Sequence, residues 1–212
     1  KSFLRIAAVV AVLLAGSYFY LNTLDESFTT DLAEKQEIRL PDNSEITLNA
    51  ESQLSFNEKN WDNKRNIQLK GEAFFKVAKG KKFTVETEQG TIAVLGLVSV
   101  SFNGKETKLP AGNSFVAING KEMKSTVIKN GQPSWMNNES TFRSIPLKYV
   151  LEEFQRQHNI KVELRDIDTS QSFTGTFSNS DTDLALRSIS VPLQIKFKLE
   201  GNKVLFYGES AP

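Results

Sequence analysis

The chain has 212 residues, with 26 basic and 25 acidic side chains; it lacks the basic excess of a phosphate-binding domain, so nucleic acid is not an expected partner. Hydrophobic residues make up 39%, enough for one or two small cores. With no cysteine and a single histidine, disulfides and thiolate metal sites are excluded, and a His-based metal site or triad would have to be built around His158.

The chain opens on "KSFLRIAAVVAVLLAGSYFYLN". Ile6 to Leu21 carries no charge, and Phe3 and Leu4 extend the apolar run toward the roughly 20 residues of a bilayer-spanning helix. Lys1 and Arg5 precede it, and Tyr18, Phe19 and Tyr20 close it at the level favoured by amphipathic rings. This pattern predicts a transmembrane helix over residues 1–22, its start in the cytoplasm by the positive-inside rule and everything after Asn22 outside. A cleavable signal peptide fits less well, because aromatics occupy the place of the small-residue cleavage site. A buried core helix is the other alternative, since the uncharged run is short. Residues 23–36 are polar and of mixed charge, and read as a linker or a short helix.

Residues 37–132 read as strand after strand. Ile38 and Leu40, then Ile46 and Leu48, alternate around the turn "PDNS". "RNIQLKGEAFFKVAK" follows, then "KKFTVETEQGTIAVLG" with a predicted turn at "EQG". "LVSVSFNGKETKLPAGNSFVAING" and "KEMKSTVIK" complete the unit. Turn residues at Asn103-Gly104, Pro110 to Asn113 and Asn119-Gly120 fall at short regular intervals, which predicts an all-β sandwich or a solenoid-like domain. "FNGK" is the strongest hairpin signal. In "GEAFF", Phe74 and Phe75 point to opposite faces, so one of them needs a second core, another layer or a partner.

One stretch resists this reading. In "TIAVLGLVSVSF", residues 91–102, two alternating strands meet at Gly96-Leu97, a pair without the turn chemistry that reverses a chain. Either one long strand bends at Gly96, or residues are missing between Gly96 and Leu97. The second is the expectation.

The pattern changes after Pro133, with "NGQPSW" at the join. Leu147, Val150, Leu151 and Phe154 occupy i, i+3, i+4, i+7 positions of one helical face. Pro146 suits the start of that helix and Asn159 its left-handed stop. "IKVEL" and "SFTGTFS" alternate as strands, Asp181 is a good N-cap for a short helix through "LALRSIS", and "QIKFKLEGNKVLFYG" closes as a hairpin turning at Gly201-Asn202. Residues 133–212 therefore form a small α+β unit in the order β-α-β-β-α-β-β.

Chemistry is hard to find. Glu152 and Glu153 are adjacent on the helix, both expected to be largely solvated, and paired catalytic carboxylates must face each other across a cleft. His158 at the helix end is explained by a cation meeting the helix dipole. Asp166 and Asp168 suit a turn. There is no phosphate loop, dinucleotide fingerprint or metal-ligand spacing. The chain is not expected to be an enzyme or to hold a cofactor or metal.

Taken together, "LPDNSEITLNAESQLSF", "LKGEAFFKVAKGKKFTVET" and "GTIAVLG" resemble the periplasmic domain of FecR-family anti-sigma factors. The match runs through Leu40, Pro41, Asp42 and Ser44, with Asn43 in place of the family's glycine, then Leu69, Gly71 to Phe75, Val77, Phe83, Val85 and Thr87. "FRSIPLKYVLEEFQRQHNIKV" with "FTGTFSNSDTDLAL" resembles the C-terminal domain of Bacteroidetes-type members. The resemblance covers nearly everything after residue 37. It also bears on Gly96: in the family, valine-leucine-glycine is followed by threonine and a further strand, where this chain has Leu97.

The resemblance implies a single-pass protein of the bacterial inner membrane whose C-terminal part is periplasmic. It implies two partners. One is the N-terminal signalling domain of an outer-membrane TonB-dependent transporter. The other is an extracytoplasmic-function sigma factor, bound through a cytoplasmic tail that is not in this chain. It implies self-cleavage after Gly96 in many members. The transporter would meet the C-terminal domain, which resembles a secretin/TonB short N-terminal domain, by edge-to-edge strand addition. The candidate edges are the apolar, proline-free segments Ser172, Phe173, Thr174, Gly175, Thr176 and Phe177, and Lys203, Val204, Leu205, Phe206 and Tyr207. Two other classes stay open: a membrane-anchored structural or envelope-assembly protein without sigma regulation, and a secreted carbohydrate-binding protein, which would want Trp61 and Trp135 exposed.

Overall fold

The computed structural model of the protein describes residues 2–23, 25–118, 121–127 and 132–208. The predicted turn at Asn119-Gly120 and the start of the join at Asn130-Gly131 lie outside them.

Helix α1 covers Ser2–Thr23, where alanine and leucine favour the helix. Its transmembrane assignment is corrected: among the described residues no helix is long and apolar enough to cross a membrane. The physical reason lies in the length of the uncharged run. Ile6–Leu21 rises about 24 Å at 1.5 Å per residue, short of the roughly 30 Å hydrocarbon core.

The β-domain holds β1 (Glu26–Thr29), β2 (Gln36–Arg39), β3 (Glu45–Leu48), β4 (Gln53–Phe56), β5 (Arg65–Lys76), β6 (Phe83–Leu95), β7 (Val98–Phe102), β8 (Lys105–Leu109), β9 (Asn113–Ile118) and β10 (Lys121–Val127). Strand β1 falls within the segment expected as linker and pairs antiparallel with β4. All belong to one ten-stranded sheet, whose spine is the long parallel pair β5–β6. The first half of β5 pairs with β4 and its second half with β3. The first half of β6 pairs with β7 and its second half with β9. Two wings thus share one spine. Their apolar faces converge on a single core that includes Ile46, Leu54, Ile67, Phe75, Val85, Val94, Val100 and Phe115. Trp61 sits edge-on between Phe56 and Phe83.

Two sequence expectations change here. No turn forms at "EQG". Strand β6 runs through it, and the register steps from Leu69↔Thr87 to Gly71↔Gly90, so β6 carries one more residue than β5, a bulge. At Gly96 the strands on either side are parallel neighbours, with Thr84↔Ser99 through Thr87↔Phe102 in register. This topology needs no reversing hairpin turn, and the missing turn was the physical ground for expecting absent residues. Gly96 and Leu97 link β6 to β7, with Gly96 at φ +146° and its Cα facing Val77 so closely that a Cβ would lie 3.2 Å from the Val77 carbonyl oxygen. The "FNGK" hairpin does form between β7 and β8, with Asn103 and Gly104 both at positive φ as a type I′ turn requires.

The C-terminal domain follows the expected order: β11 (Glu139–Pro146), α2 (Leu147–His158), β12 (Lys161–Arg165), β13 (Ser172–Ser178), α3 (Thr182–Leu193), β14 (Lys196–Glu200) and β15 (Lys203–Tyr207). Pro146 is the N-cap of α2 and Asn159 its left-handed C-cap. Asp181 caps α3 by accepting from the Leu184 N–H. The predicted face Leu147, Val150, Leu151 and Phe154 is buried, packed with Phe173, Phe177, Leu186, Ile189, Val204 and Phe206. The strands form two sheets, β11–β13 and β12–β15–β14.

Candidate functional site

The two candidate edges separate in the structure. Strand β15 is the middle of its sheet, paired in parallel with β12 and antiparallel with β14. The segment Lys203, Val204, Leu205, Phe206 and Tyr207 therefore offers no free edge. Its apolar character, which suggested an edge, comes from Val204 and Phe206 lying in the core. Strand β13 differs. It pairs only with β11 among the described residues. Phe173 and Phe177 point into the core, while Thr174 and Thr176 are exposed. Gly175 shares the inward face and makes room for the Phe173 ring, which a Cβ would approach to 2.8 Å.

The direction of the free backbone groups follows from the ladder's ends. Asn179 N–H donates to Asn138 O and Leu147 N–H to Gln171 O. Residues opposite each other in an antiparallel pair alternate between bonded and non-bonded pairs, so Thr174 and Thr176 turn their N–H and C=O groups away from β11. The open edge is thus polar in its side chains, and its backbone groups at Thr174 and Thr176 have no strand partner among the described residues.

A second constellation joins the two domains, and sequence reasoning missed it. Glu72 on β5 and Arg156 on α2 form an ion pair at 2.8 Å, with side chains only 12% and 17% exposed. Arg156 also pairs with Glu153, itself 15% exposed, so the expectation of a solvated Glu153 is corrected; Glu152 is exposed as expected. Asn49 donates to Glu72 at 2.6 Å, and Gln157 donates to Asn49 and to Glu153. Arg156 O accepts from the Ala33 N–H. Lys35 donates to Trp135 O at 2.6 Å and to Asn138 Oδ1 at 3.0 Å. Burial pushes the Glu72 carboxyl up, with Arg156 pulling the other way. Burial disfavours the charged form of Arg156, but the carboxylates of Glu153 and Glu72 outweigh it and hold its pKa above the ordinary arginine value, so the guanidinium stays charged.

The "GEAFF" segment is the β-domain's side of this junction. Ala73 and Phe75 enter the main core. Phe74, on the opposite face with Glu72, packs with Trp135 and Met136 in a separate small cluster, which is the second core the alternation demanded. Trp61 and Trp135 are 1% and 4% exposed, so neither can serve as a sugar platform.

His158, at the end of α2, is held by more than the helix dipole. It stacks on Phe154 at 4.7 Å, and its ring nitrogens lie 3.0 Å from Thr182 Oγ1 and 2.9 Å from Ser178 O. A carbonyl can only accept, so Nε2 carries the proton and Nδ1 accepts from the Thr182 hydroxyl. Burial lowers its pKa, which favours this neutral form. Asp168 behaves as expected, accepting from the Ser170 N–H in a turn. No group of three or more His, Cys, Asp or Glu residues able to hold a metal is found among the described residues.

Comparison with known proteins places this geometry. The family model described as "FecR protein" matches residues 26–112, and that described as "FecR, C-terminal" matches residues 139–206. No curated protein matches. Among solved structures, a candidate anti-sigma factor from Parabacteroides distasonis ATCC 8503 is 20% identical, with a TM-score of 0.76 over 88% of this chain and 100% of that one. A second structure described in the same words is 19% identical, with a TM-score of 0.75 over 87% of this chain and 100% of that one. At these identities the likeness is one of fold.

Proposed function

The chain belongs to the FecR family, and on that premise we propose that it regulates an extracytoplasmic-function sigma factor by sensing a second protein. The solved relatives described as anti-sigma factors support the same reading. The sensed partner is the N-terminal signalling domain of a TonB-dependent outer-membrane transporter, met on the periplasmic side. The observation that carries the contact is the open edge of β13, whose backbone groups at Thr174 and Thr176, without a strand partner among the described residues, are suited to a strand from another chain.

Thr176→Pro tests this. Proline removes an N–H that faces away from β11, so the ladder inside the domain is kept while strand addition is blocked. Binding to a purified transporter signalling domain, followed by calorimetry, is expected to be lost, with the melting curve of the C-terminal domain little changed. Undiminished binding in a folded variant overturns strand addition at β13.

The protein works by contact and not by catalysis in this reading. A self-cleaving bond after glycine needs a hydroxyl or thiol on the next residue to attack the carbonyl. Leu97 follows Gly96 here and has neither. A denaturing gel of the purified chain is expected to show one full-length band. Two fragments parting after Gly96 would reverse this.

A further inference from the structure

The junction carries more than packing. Lys35 and Arg156 bring two cations, Glu72 and Glu153 two anions, and the two carboxylates both act on Lys35 as well as on Arg156. The set spans both domains: Lys35 and Glu72 belong to the β-domain, Glu153 and Arg156 to α2. Beside it, Phe74 fits against Trp135 and Met136. Domains that share a chain are free to move relative to each other unless their interface is large and apolar. Beside that one apolar contact this junction is polar, and its cross-domain hydrogen bonds and ion pair are directional. Arg156 is held by two carboxylates and lies 3.4 Å from Ala50 O, a geometry that only one orientation of the domains satisfies.

We propose that the Lys35, Glu72, Glu153 and Arg156 quartet, with Phe74 on Trp135, is an interdomain latch that fixes the β-domain and the C-terminal domain in one orientation and can be released as a unit. The latch also touches the strand-accepting sheet. The Ser140 hydroxyl, on β11, lies 3.3 Å from Glu153 Oε1 and 2.9 Å from Asn179 Oδ1, and Asn179 directly follows β13 and bonds across to Asn138. Asn138 in turn accepts from Lys35. Both ends of the network therefore reach the residues that frame the β11–β13 pair. A shift of that sheet alters the partners of Glu153 and Lys35, and through them the hold on Glu72. Removing one member leaves buried charge without its partner, which a closed junction tolerates poorly and an opened, hydrated one relieves.

The chain has no cysteine, so spin labels can be placed cleanly at Lys108→Cys on β8 and Val191→Cys on α3, both exposed positions. Pulsed electron–electron distance measurements on the full chain need no partner, so this test stands or falls separately from the transporter reading. The parent is expected to give one narrow distance distribution, and Arg156→Met a shifted and broadened one, with circular dichroism showing both domains folded. Lys35→Met, whose side chain is only half-buried and lies outside both cores, is expected to broaden it as well and serves alone if Arg156→Met does not fold. A distribution as narrow as the parent's in these folded variants overturns the latch.

Discussion

Phe154→Ala is expected to unfold the C-terminal domain at ordinary temperatures or come close to it. The ring is fully buried in the centre of the domain's core. It stands edge-on to Phe177 and flat against His158, so it ties α2 to β13 and to the imidazole that holds Ser178 and Thr182. Truncating a buried phenylalanine costs about 3–5 kcal/mol, and a domain of this size has only about 5–10 kcal/mol in total. Because the chain has two cores, heat or denaturant unfolding should be followed domain by domain. The expected result is a transition that moves for residues 139–208 and stays for the β-domain. A loss below about 1 kcal/mol would mean that the core closes around the cavity.

Gly71→Ala is expected to be nearly as costly in the β-domain, for a different reason. Gly71 has φ +94°, and a Cβ there would lie 2.4 Å from Ser52 Oγ and 2.9 Å from Ser52 Cα. The second of these is backbone, which cannot swing aside. The left-handed conformation alone costs an L-residue about 1–3 kcal/mol. Displacing Ser52 also breaks the bond from the Glu72 N–H to Ser52 Oγ and that from Ser52 Oγ to Ala50 O, worth about 1 kcal/mol each. A combined loss on the order of 3–5 kcal/mol follows, read by chemical denaturation of the β-domain. Since Glu72 begins at the disturbed peptide, the same variant should loosen the interdomain contact. A stability within about 0.5 kcal/mol of the parent would show that Ser52 can move without cost.

Much of the C-terminal domain was legible in the sequence, because its signals are local. The i, i+3, i+4, i+7 spacing of Leu147 to Phe154, the stop at Asn159 and the cap at Asp181 depend only on neighbours in the chain. The "FNGK" hairpin was legible for the same reason. Gly96 and "EQG" were not. A turn rule that presumes antiparallel neighbours fails where strands run parallel, and the parallel pairs β5–β6 and β6–β7 are set by partners far along the chain. The N-terminal run shows another limit, since its composition and flanks suggested a span while its uncharged length falls short of one.

The candidate sites divide the same way. Alternation along "SFTGTFS" and "KVLFYG" marks both as strands with one buried face, but nothing in either segment says how many neighbours it has. Strand order alone makes β13 an edge and β15 a centre. Glu153 looked solvated because the helical pattern describes only the face turned to its own domain. It is drawn into the junction by Arg156, which reaches across to Glu72 of the second domain. In "GEAFF" the alternation of Glu72 and Phe74 with Ala73 and Phe75 already demanded a second surface. The identity of that surface, Arg156 and Trp135, lies 84 and 61 residues further along the chain. The sequence by itself determined which residues need burial or a charged partner, since period and side-chain chemistry are properties of the local chain. Only the tertiary structure decided which partner each one meets, because that depends on strand order and domain docking.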